Sequence, residues 1–134
     1  MKKIIKLSEP NIFGNEIKSV KKCFSDKWIS AGGNYNLKFE NSVKKITKSR
    51  YAVSCINCSA ALQLSVRIIN PNYGDEILVP SITFISTINA IINNNCNPIF
   101  IDCGEDYLID VKQLTHFLKK QTIMKKGFCL KFAL

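Results

Sequence analysis

The stretch YAVSCINCSAALQL, residues 51–64, changes its local pattern midway and decides the fold class. Residues 51–56 form an apolar run with the length of a buried strand, and residues 59–69 are apolar nearly all round a helix. The short polar link between them, Asn57 to Ser59, is typical of a turn into a helix. The stretch therefore predicts a buried strand that leads directly into a helix covered on more than one side.

The chain on both sides of this stretch keeps the same alternation. Apolar spacing predicts further helices and strands over the following residues: helices at 12–26, 35–48, 84–93 and 110–120, and strands at 76–80 and 97–102. In the helix over 84–93 the spacing places four side chains inward, namely Phe84, Ile88, Ile91 and Ile92. Alternating strands and helices predict an α/β domain with a parallel sheet. No clear period remains in residues 121–134, which we interpret as an irregular tail.

Charge and hydropathy exclude several classes of function. The formal net charge of the 134 residues is +9, but residues 51–110 contain one Arg and six acidic residues, so the best-defined motifs lie in an acidic segment. This distribution favours solvated lysines over a nucleic-acid surface. No apolar run approaches the ~20 residues of a membrane span, and the basic N-terminus lacks a signal-peptide core. The sequence predicts a cytoplasmic protein that binds neither nucleic acid nor membrane.

The six cysteines allow two interpretations. Cys55 and Cys58 form a C-x-x-C, the spacing of a redox pair or of half a zinc site. The apolar strand pattern predicts that Cys55 is buried, whereas the first cysteine of a redox pair is exposed. Cys96 and Cys103 could complete a zinc site, but their spacing fits the usual short loops poorly. We therefore predict free thiols and no metal site.

The residues from Asn57 to Leu62 also suit an anion. Free backbone N–H groups at the start of a helix point at whatever lies above the preceding strand. Ser59 adds a hydroxyl, and the small side chains of Ala60 and Ala61 let a ligand come close. An ordinary N-cap serine would give the same pattern, so both interpretations stay open at this point.

Four motifs in this order and spacing resemble the N-terminal part of the DegT/StrS family of sugar aminotransferases. They are WISAGG at 28–33, NCSAAL at 57–62, GDEILVPSITF at 74–84, and TINAI at 87–91 followed by NPIFID at 97–102. The resemblance implies the fold of aspartate aminotransferase, with residues 1–120 as the N-terminal portion of the large domain of a pyridoxal 5′-phosphate (PLP) enzyme. Residues 121–134 would then be the product of a truncation or a frameshift.

The family resemblance also implies a reaction and its binding residues. Members transfer an amino group, typically from glutamate, to a nucleotide-linked keto-sugar for surface polysaccharide synthesis, and they are homodimers. The motif resembles most the enzymes that act on 4-keto-6-deoxyhexoses on routes to bacillosamine- or legionaminic-type sugars. Ser59 and Ala60 match the residues that hold the cofactor phosphate, and Phe84 matches the aromatic that stacks on the pyridine ring. A segment near the substrate is matched by Ser30, Gly32 and Gly33.

The same resemblance predicts what this chain lacks. The Schiff-base lysine and the aspartate on the pyridine nitrogen lie beyond the matched stretch, so we assign no catalytic residue and expect no activity from the chain alone. The middle strands of the sheet are also beyond it, which predicts an incomplete sheet with open edges. Cys58 stands where the family commonly has Gly. Two alternatives are a non-catalytic α/β binding module and a thiol or zinc protein that uses Cys55 and Cys58.

Overall fold

The structure is a computed structural model that describes residues 5–6, 8–125 and 128–131. The chain forms two compact units, of which the first ends at Ser54 and the second begins at Cys55. Its elements are α1 (Glu16–Ser25), α2 (Asn34–Thr47), α3 (Cys58–Ile69), β1 (Glu76–Pro80), α4 (Ile85–Ile92), β2 (Asn97–Ile101), α5 (Val111–Gln121), β3 (Thr122–Lys125) and β4 (Phe128–Lys131). None of the helices described here has the length and apolar character needed to cross a membrane.

The first unit contains α1 and α2 and ends in a segment that is tied back to α2. The Glu40 carboxylate accepts hydrogen bonds from the Ser54 amide N–H and from the Ser54 hydroxyl, each 2.9 Å long. The Ser54 amide, and then its hydroxyl, hold the pKa of the Glu40 carboxyl below its ordinary value. Both bonds favour the ionised carboxylate, because a charged acceptor binds N–H and O–H donors more strongly than a neutral one.

Replacing Glu40 with glutamine should make the hydrogen bonds between Ser54 and α2 weaker and independent of pH. Since the pKa of Glu40 is lowered in the folded chain, its contribution is present above the pKa of unfolded glutamate, ~4.3, and is lost as pH falls through the folded value. We expect hydrogen exchange at the Ser54 amide to accelerate as the wild type is acidified below about pH 4, after correction for the intrinsic rate.

In Glu40→Gln this acceleration should be absent, and Ser54 should exchange faster than the wild type at neutral pH. Glu105→Gln is the matched control, because the Glu105 carboxylate has no hydrogen bond to any residue that the structure describes. If hydrogen exchange at the Ser54 amide depended on pH in the same way in Glu40→Gln and in the wild type, the Glu40 carboxylate would not be the group that holds Ser54.

The second unit is built around two parallel strands, β1 and β2, with α4 as the crossover between them. Their register runs from Glu76 beside Asn97 to Pro80 beside Ile101. Pro80 closes β1 because proline has no N–H to continue a ladder. Helix α4 packs against both strands and against α3, which is the arrangement expected of a β–α–β unit.

The core of the second unit is small and lies between α4 and one face of the strands. Val79, Ile91 and Cys96 are buried, and Ile77 and Ile88 pack partly buried against them. Burial raises the pKa of the Cys96 thiol, so this cysteine acts as a small apolar residue. The prediction that Ile88 and Ile91 point inward is confirmed by this cluster.

Three sequence-based predictions about burial are wrong. Residues 51–56 form no strand, and Tyr51, Val53 and Ile56 are largely exposed. A strand needs a hydrogen-bonded neighbour, and the described residues supply none for this segment. Helix α3 has no buried residue instead of being covered on several sides. Two residues predicted to point inward from the helix over 84–93 are exposed instead, Phe84 at 80% and Ile92 at 53%.

The predicted α/β fold with an incomplete sheet is confirmed, since the parallel sheet has only two strands in the part of the chain described. The stretch after Gln121 is more regular than its sequence pattern predicts. Strands β3 and β4 pair antiparallel as a separate hairpin, with Thr122 beside Lys131. Helix α5 is capped by Asp110, as predicted, and the Asp110 carboxylate accepts hydrogen bonds from the amides of Lys112 and Gln113.

Candidate functional site

The first turn of α3 leaves two backbone donors without an acceptor. Asn57 is the N-cap, and its Oδ1 accepts a 2.8 Å hydrogen bond from the Ala60 amide. The Ala61 amide donates to the Asn57 carbonyl at 3.2 Å, the first bond of the helix. Within residues 8–125 and 128–131 no acceptor faces the amides of Cys58 and Ser59. These two N–H groups point out of the helix start.

An anion is the ligand that this arrangement suits. The unpaired amides carry the positive end of the α3 dipole, which favours a negative group by ~0.3–1 kcal/mol at an exposed site. Ser59 is exposed, and its hydroxyl has no hydrogen-bond partner among the described residues, so it is a third donor beside the two amides. Ala60 is half-buried and leaves the approach open. A phosphate group matches these donors in charge and in number of oxygens.

The backbone N–H of Ala60 is not free, which differs from the sequence prediction. Ala60 and Ser59 were both expected to offer backbone N–H groups, but the Ala60 amide is already used by the side chain of Asn57. The free donors in this turn are therefore Cys58 and Ser59. An asparagine three residues before Ala60 is a standard N-cap signal, so the sequence did indicate that the Ala60 amide could be bonded by the Asn57 side chain.

Phe84 lies immediately before α4, in extended backbone conformation, and its ring is exposed. The start of α4 is held by a hydrogen bond from the Thr87 amide to the Phe84 carbonyl at 2.9 Å and by one between the hydroxyls of Thr83 and Thr87. A large exposed phenyl ring on an ordered helix start offers a flat apolar face to a ligand.

Helices α3 and α4 pack against each other and carry all three predicted cofactor residues of the second unit. The side-chain amide of Asn94, just after α4, donates to the carbonyl of Gln63 in α3 at 3.0 Å and to that of Ala90 at 2.8 Å. Ser59 and Ala60 in the first turn of α3 and Phe84 at the start of α4 thus belong to one packed helix pair.

Ser30, Gly32 and Gly33 belong to the first unit, in the turn that leads into α2. The Gly33 amide donates to the Ser30 carbonyl at 3.2 Å, and Gly33 is the N-cap of α2. A Cβ placed on Gly32 would meet the Trp28 ring at 3.6 Å, an ordinary contact. Local space therefore does not demand glycine at Gly32. The assignment of these three residues to the substrate side stays a prediction.

The cysteines do not form the zinc site considered from the sequence. Cys55 is exposed, not buried as predicted, because residues 51–56 find no strand to pair with in the part of the chain that the structure describes. Cys58 is exposed too. Cys96 is buried in the core, while Cys103 is half-buried, with its sulfur 4.0 Å from the Ser81 hydroxyl. Across the residues that the structure describes, no group of three or more His, Cys, Asp or Glu side chains comes together to hold a metal.

Comparison with known proteins identifies one family and several relatives that this chain resembles. The family described as "DegT/DnrJ/EryC1/StrS aminotransferase family" matches residues 10–128. A GDP-perosamine synthase of Escherichia coli O157:H7 is 33% identical over 121 residues, which are 90% of this chain and 33% of the relative. A GDP-perosamine synthase of Vibrio cholerae is 29% identical over 120 residues, 89% of this chain and 33% of the relative. The chain spans about a third of the length of these relatives.

Solved structures agree with this match. The PLP form of the sugar aminotransferase Spr1654 from Streptococcus pneumoniae superimposes with a TM-score of 0.75 at 26% identity, over 84% of this chain and 29% of that one. The PMP form of the same protein gives the same TM-score. An E. coli GDP-4-keto-6-deoxy-D-mannose-3-dehydratase with bound hydrated PLP supports the fold, with a TM-score of 0.74 over 82% of this chain and 30% of that one, at 24% identity.

Proposed function

Because this chain belongs to the DegT/DnrJ/EryC1/StrS aminotransferase family, we propose that it supplies the cofactor-phosphate end of a PLP-dependent enzyme. The enzyme would transfer an amino group, typically from glutamate, to a nucleotide-linked keto-sugar for surface polysaccharide synthesis. The names of the relatives, GDP-perosamine synthase and sugar aminotransferase, support this substrate class. The single structural observation that carries the proposal is the pair of free amides at the start of α3, beside the free hydroxyl of Ser59.

Each residue of the helix pair has a distinct part in this proposal. The amides of Cys58 and Ser59 and the Ser59 hydroxyl donate hydrogen bonds to the phosphate and fix one end of the cofactor. The exposed ring of Phe84 holds the plane of the pyridine. PLP, when bound, supplies the electron sink for amino transfer. This chain matches about a third of the length of its relatives. The residues for covalent attachment and proton transfer would lie in the other two thirds of the enzyme.

The assembly and location of the enzyme are part of the same proposal. We propose a homodimer, as the family resemblance implies, with the turn at Ser30, Gly32 and Gly33 on the substrate side. The proposed location in the cytoplasm follows from the hydropathy pattern of the sequence. The narrower choice between bacillosamine- and legionaminic-type routes also stays a prediction.

A titration that compares three ligands tests the phosphate assignment. PLP, pyridoxal and inorganic phosphate are added separately to the ¹⁵N-labelled chain, and the amide signals of Cys58 and Ser59 are followed by NMR. We expect PLP and inorganic phosphate to shift both signals, with PLP binding ~3–10-fold more tightly because it also contacts Phe84. Pyridoxal lacks the phosphate but keeps the aldehyde, so it controls for reaction with exposed lysines and should leave both amides unshifted.

A substitution of Phe84 separates the two parts of the proposed site. Phe84→Leu should weaken PLP binding roughly 3–10-fold, the effect of losing a ring contact worth ~0.5–1.5 kcal/mol, and leave the affinity for inorganic phosphate unchanged. The proposal fails if PLP and pyridoxal shift the same signals, or if neither PLP nor phosphate moves Cys58 and Ser59.

A further inference from the structure

The first unit contains a cleft along the polar side of α1, which we call the α1 cleft. Its volume is about 620 Å³, within the range of ~300–1,000 Å³ that small-molecule sites occupy. Its lining includes Asn15, Lys18, Ser19, Lys21, Lys22 and Tyr35. All of these except Tyr35 lie on α1 or at its N-cap, and Tyr35 lies in the first turn of α2. One short segment of the chain therefore supplies the whole set.

The end of α1 brings the start of α2 back to this cleft. The Lys27 amide donates to the Phe24 carbonyl at 3.0 Å, and Lys27 has a left-handed backbone, with φ at 57°. The Trp28 amide donates to the Cys23 carbonyl, also at 3.0 Å. These two bonds form a Schellman motif, which ends a helix and turns the chain. The chain then enters α2, where Tyr35 lines the cleft.

Three polar side chains of the α1 cleft have no hydrogen-bond partner. Ser19 and Tyr35 are half-buried, and their hydroxyls bond to none of the residues that the structure describes. Asn15 makes no capping bond with its side chain, although it is the N-cap of α1. The Tyr35 ring is held by the ammonium of Lys38, 4.8 Å from the ring centroid. A ligand that accepts from these hydroxyls would satisfy donors that the fold leaves unused.

The α1 cleft also carries positive charge. Lys18 and Lys21 are exposed, and in the described part of the chain no carboxylate lies within ion-pair distance of either ammonium. Lys22 pairs with Asp26 at 2.8 Å, so its charge is partly neutralised. Ammonium groups beside free hydroxyls are the donors that bind phosphate oxygens. The cleft thus suits a small ligand with several negative charges.

We propose that the α1 cleft binds a diphosphate group, either as inorganic pyrophosphate or as part of a nucleotide. Lys18 and Lys21 neutralise its charges, and the hydroxyls of Ser19 and Tyr35 donate hydrogen bonds to its oxygens. A single phosphate carries less charge and fewer oxygens, so it binds more weakly at the same place. The proposal is independent of the proposed function, because none of these residues belongs to the pair of helices α3 and α4.

A titration with four probes tests the site. Inorganic pyrophosphate, inorganic phosphate, GDP and guanosine are added separately to the ¹⁵N-labelled chain at low ionic strength, where screening is weak. We expect pyrophosphate and GDP to shift the amide signals of Ser19 and Tyr35, and guanosine to shift neither. Phosphate should bind at least ~10-fold more weakly than pyrophosphate. Tighter binding of GDP than of pyrophosphate would identify a nucleotide as the ligand, and equal or weaker binding would identify inorganic diphosphate.

Single substitutions separate the cleft from the general positive charge of the first unit. Lys18→Gln and Tyr35→Phe each remove one proposed donor and should lower the affinity for pyrophosphate ~3–10-fold. Tyr35→Phe keeps the ring on which Lys38 lies. Lys45→Gln is the matched control, because Lys45 is exposed on α2 and does not line the cleft. It removes the same charge as Lys18→Gln and should change the affinity less than ~2-fold.

Three results would overturn the proposal. They are no shift of Ser19 and Tyr35 with ~10 mM pyrophosphate, equal shifts with guanosine and GDP, and a loss of affinity in Lys45→Gln as large as that in Lys18→Gln. The signals of Cys58 and Ser59 report the proposed cofactor site in the same spectra. Failure of the α1 cleft and failure of the proposed function are therefore observed separately.

Discussion

Ile91→Ala should lower the free energy of unfolding of the second unit by about 2–5 kcal/mol, the range for truncating a buried isoleucine. Ile91 is 3% exposed and packs against Val79 and Cys96, in a part of the chain whose described residues include only five buried apolar side chains. A small domain has a net stability of only ~5–15 kcal/mol, and a core of this size supports the lower end of that range. We therefore expect the variant to lose most of its cooperative unfolding transition.

Urea unfolding followed by circular dichroism would measure this effect. Ile92→Ala is the matched control, since it removes the same atoms from the next position of α4, where the side chain is 53% exposed. Its effect should stay within about 1 kcal/mol, because most of its surface is already in water. Equal losses from the two substitutions would mean that the core does not lie between α4 and the strands.

Local signals in the sequence were sufficient for most elements of the second unit. The bounds of β1 follow from its apolar run and from Pro80, and the start of α5 follows from the capping carboxylate of Asp110. These signals act within a few residues of the chain, so they work whether or not the rest of the fold is present. The α/β alternation could be predicted for the same reason, whereas the incomplete sheet was predicted from the family resemblance.

Burial could be predicted only in part from local signals, which were right for Ile88 and Ile91 but wrong for residues 51–56. The apolar pattern of residues 51–56 predicts a strand, but a strand exists only when another strand bonds to it. The same dependence on distant residues explains Cys55 and the apolar face of α3, which includes the exposed Ile68. Phe84 shows the same error: helical spacing predicts a core position, but the ring is exposed. The family resemblance instead predicts a ligand-facing ring.

The position of the candidate site was predictable from the sequence, and its free donors were only partly so. Small residues after Asn57 indicated the first turn of α3, where Ser59 and Ala60 lie. The choice of Asn57 as the cap decides which amides stay free, because one side-chain oxygen occupies the Ala60 N–H and leaves Cys58 and Ser59. A sequence pattern lists the possible donors, but only the geometry shows which of them are already used.

Ser59→Asp should abolish phosphate binding while leaving the helix intact or slightly more stable. A carboxylate in the first turn interacts favourably with the α3 dipole, worth ~0.3–1 kcal/mol, so the fold gains from the change. The same carboxylate would place a negative charge where the phosphate is proposed to lie and would remove the hydroxyl donor. Losing one charge-assisted hydrogen bond, ~1.5–3 kcal/mol, and adding repulsion of similar size lowers affinity at least ~100-fold.

Ser59→Asp is expected to keep or raise the stability of the fold and to lower the affinity for phosphate, so a loss of binding cannot be explained by unfolding. Calorimetric titration with PLP and thermal unfolding would be recorded on the same samples at low ionic strength, where screening is weak. Ser65→Asp is the control, because it introduces the same charge on the same helix but beyond the first turn, where the Ser65 hydroxyl bonds to the Ala61 carbonyl. It should bind PLP within ~3-fold of the wild type. If Ser59→Asp binds PLP as well as Ser65→Asp does, the start of α3 does not hold the phosphate. A carboxylate beside a bound phosphate dianion would repel it, so unchanged affinity would mean that the dianion lies elsewhere.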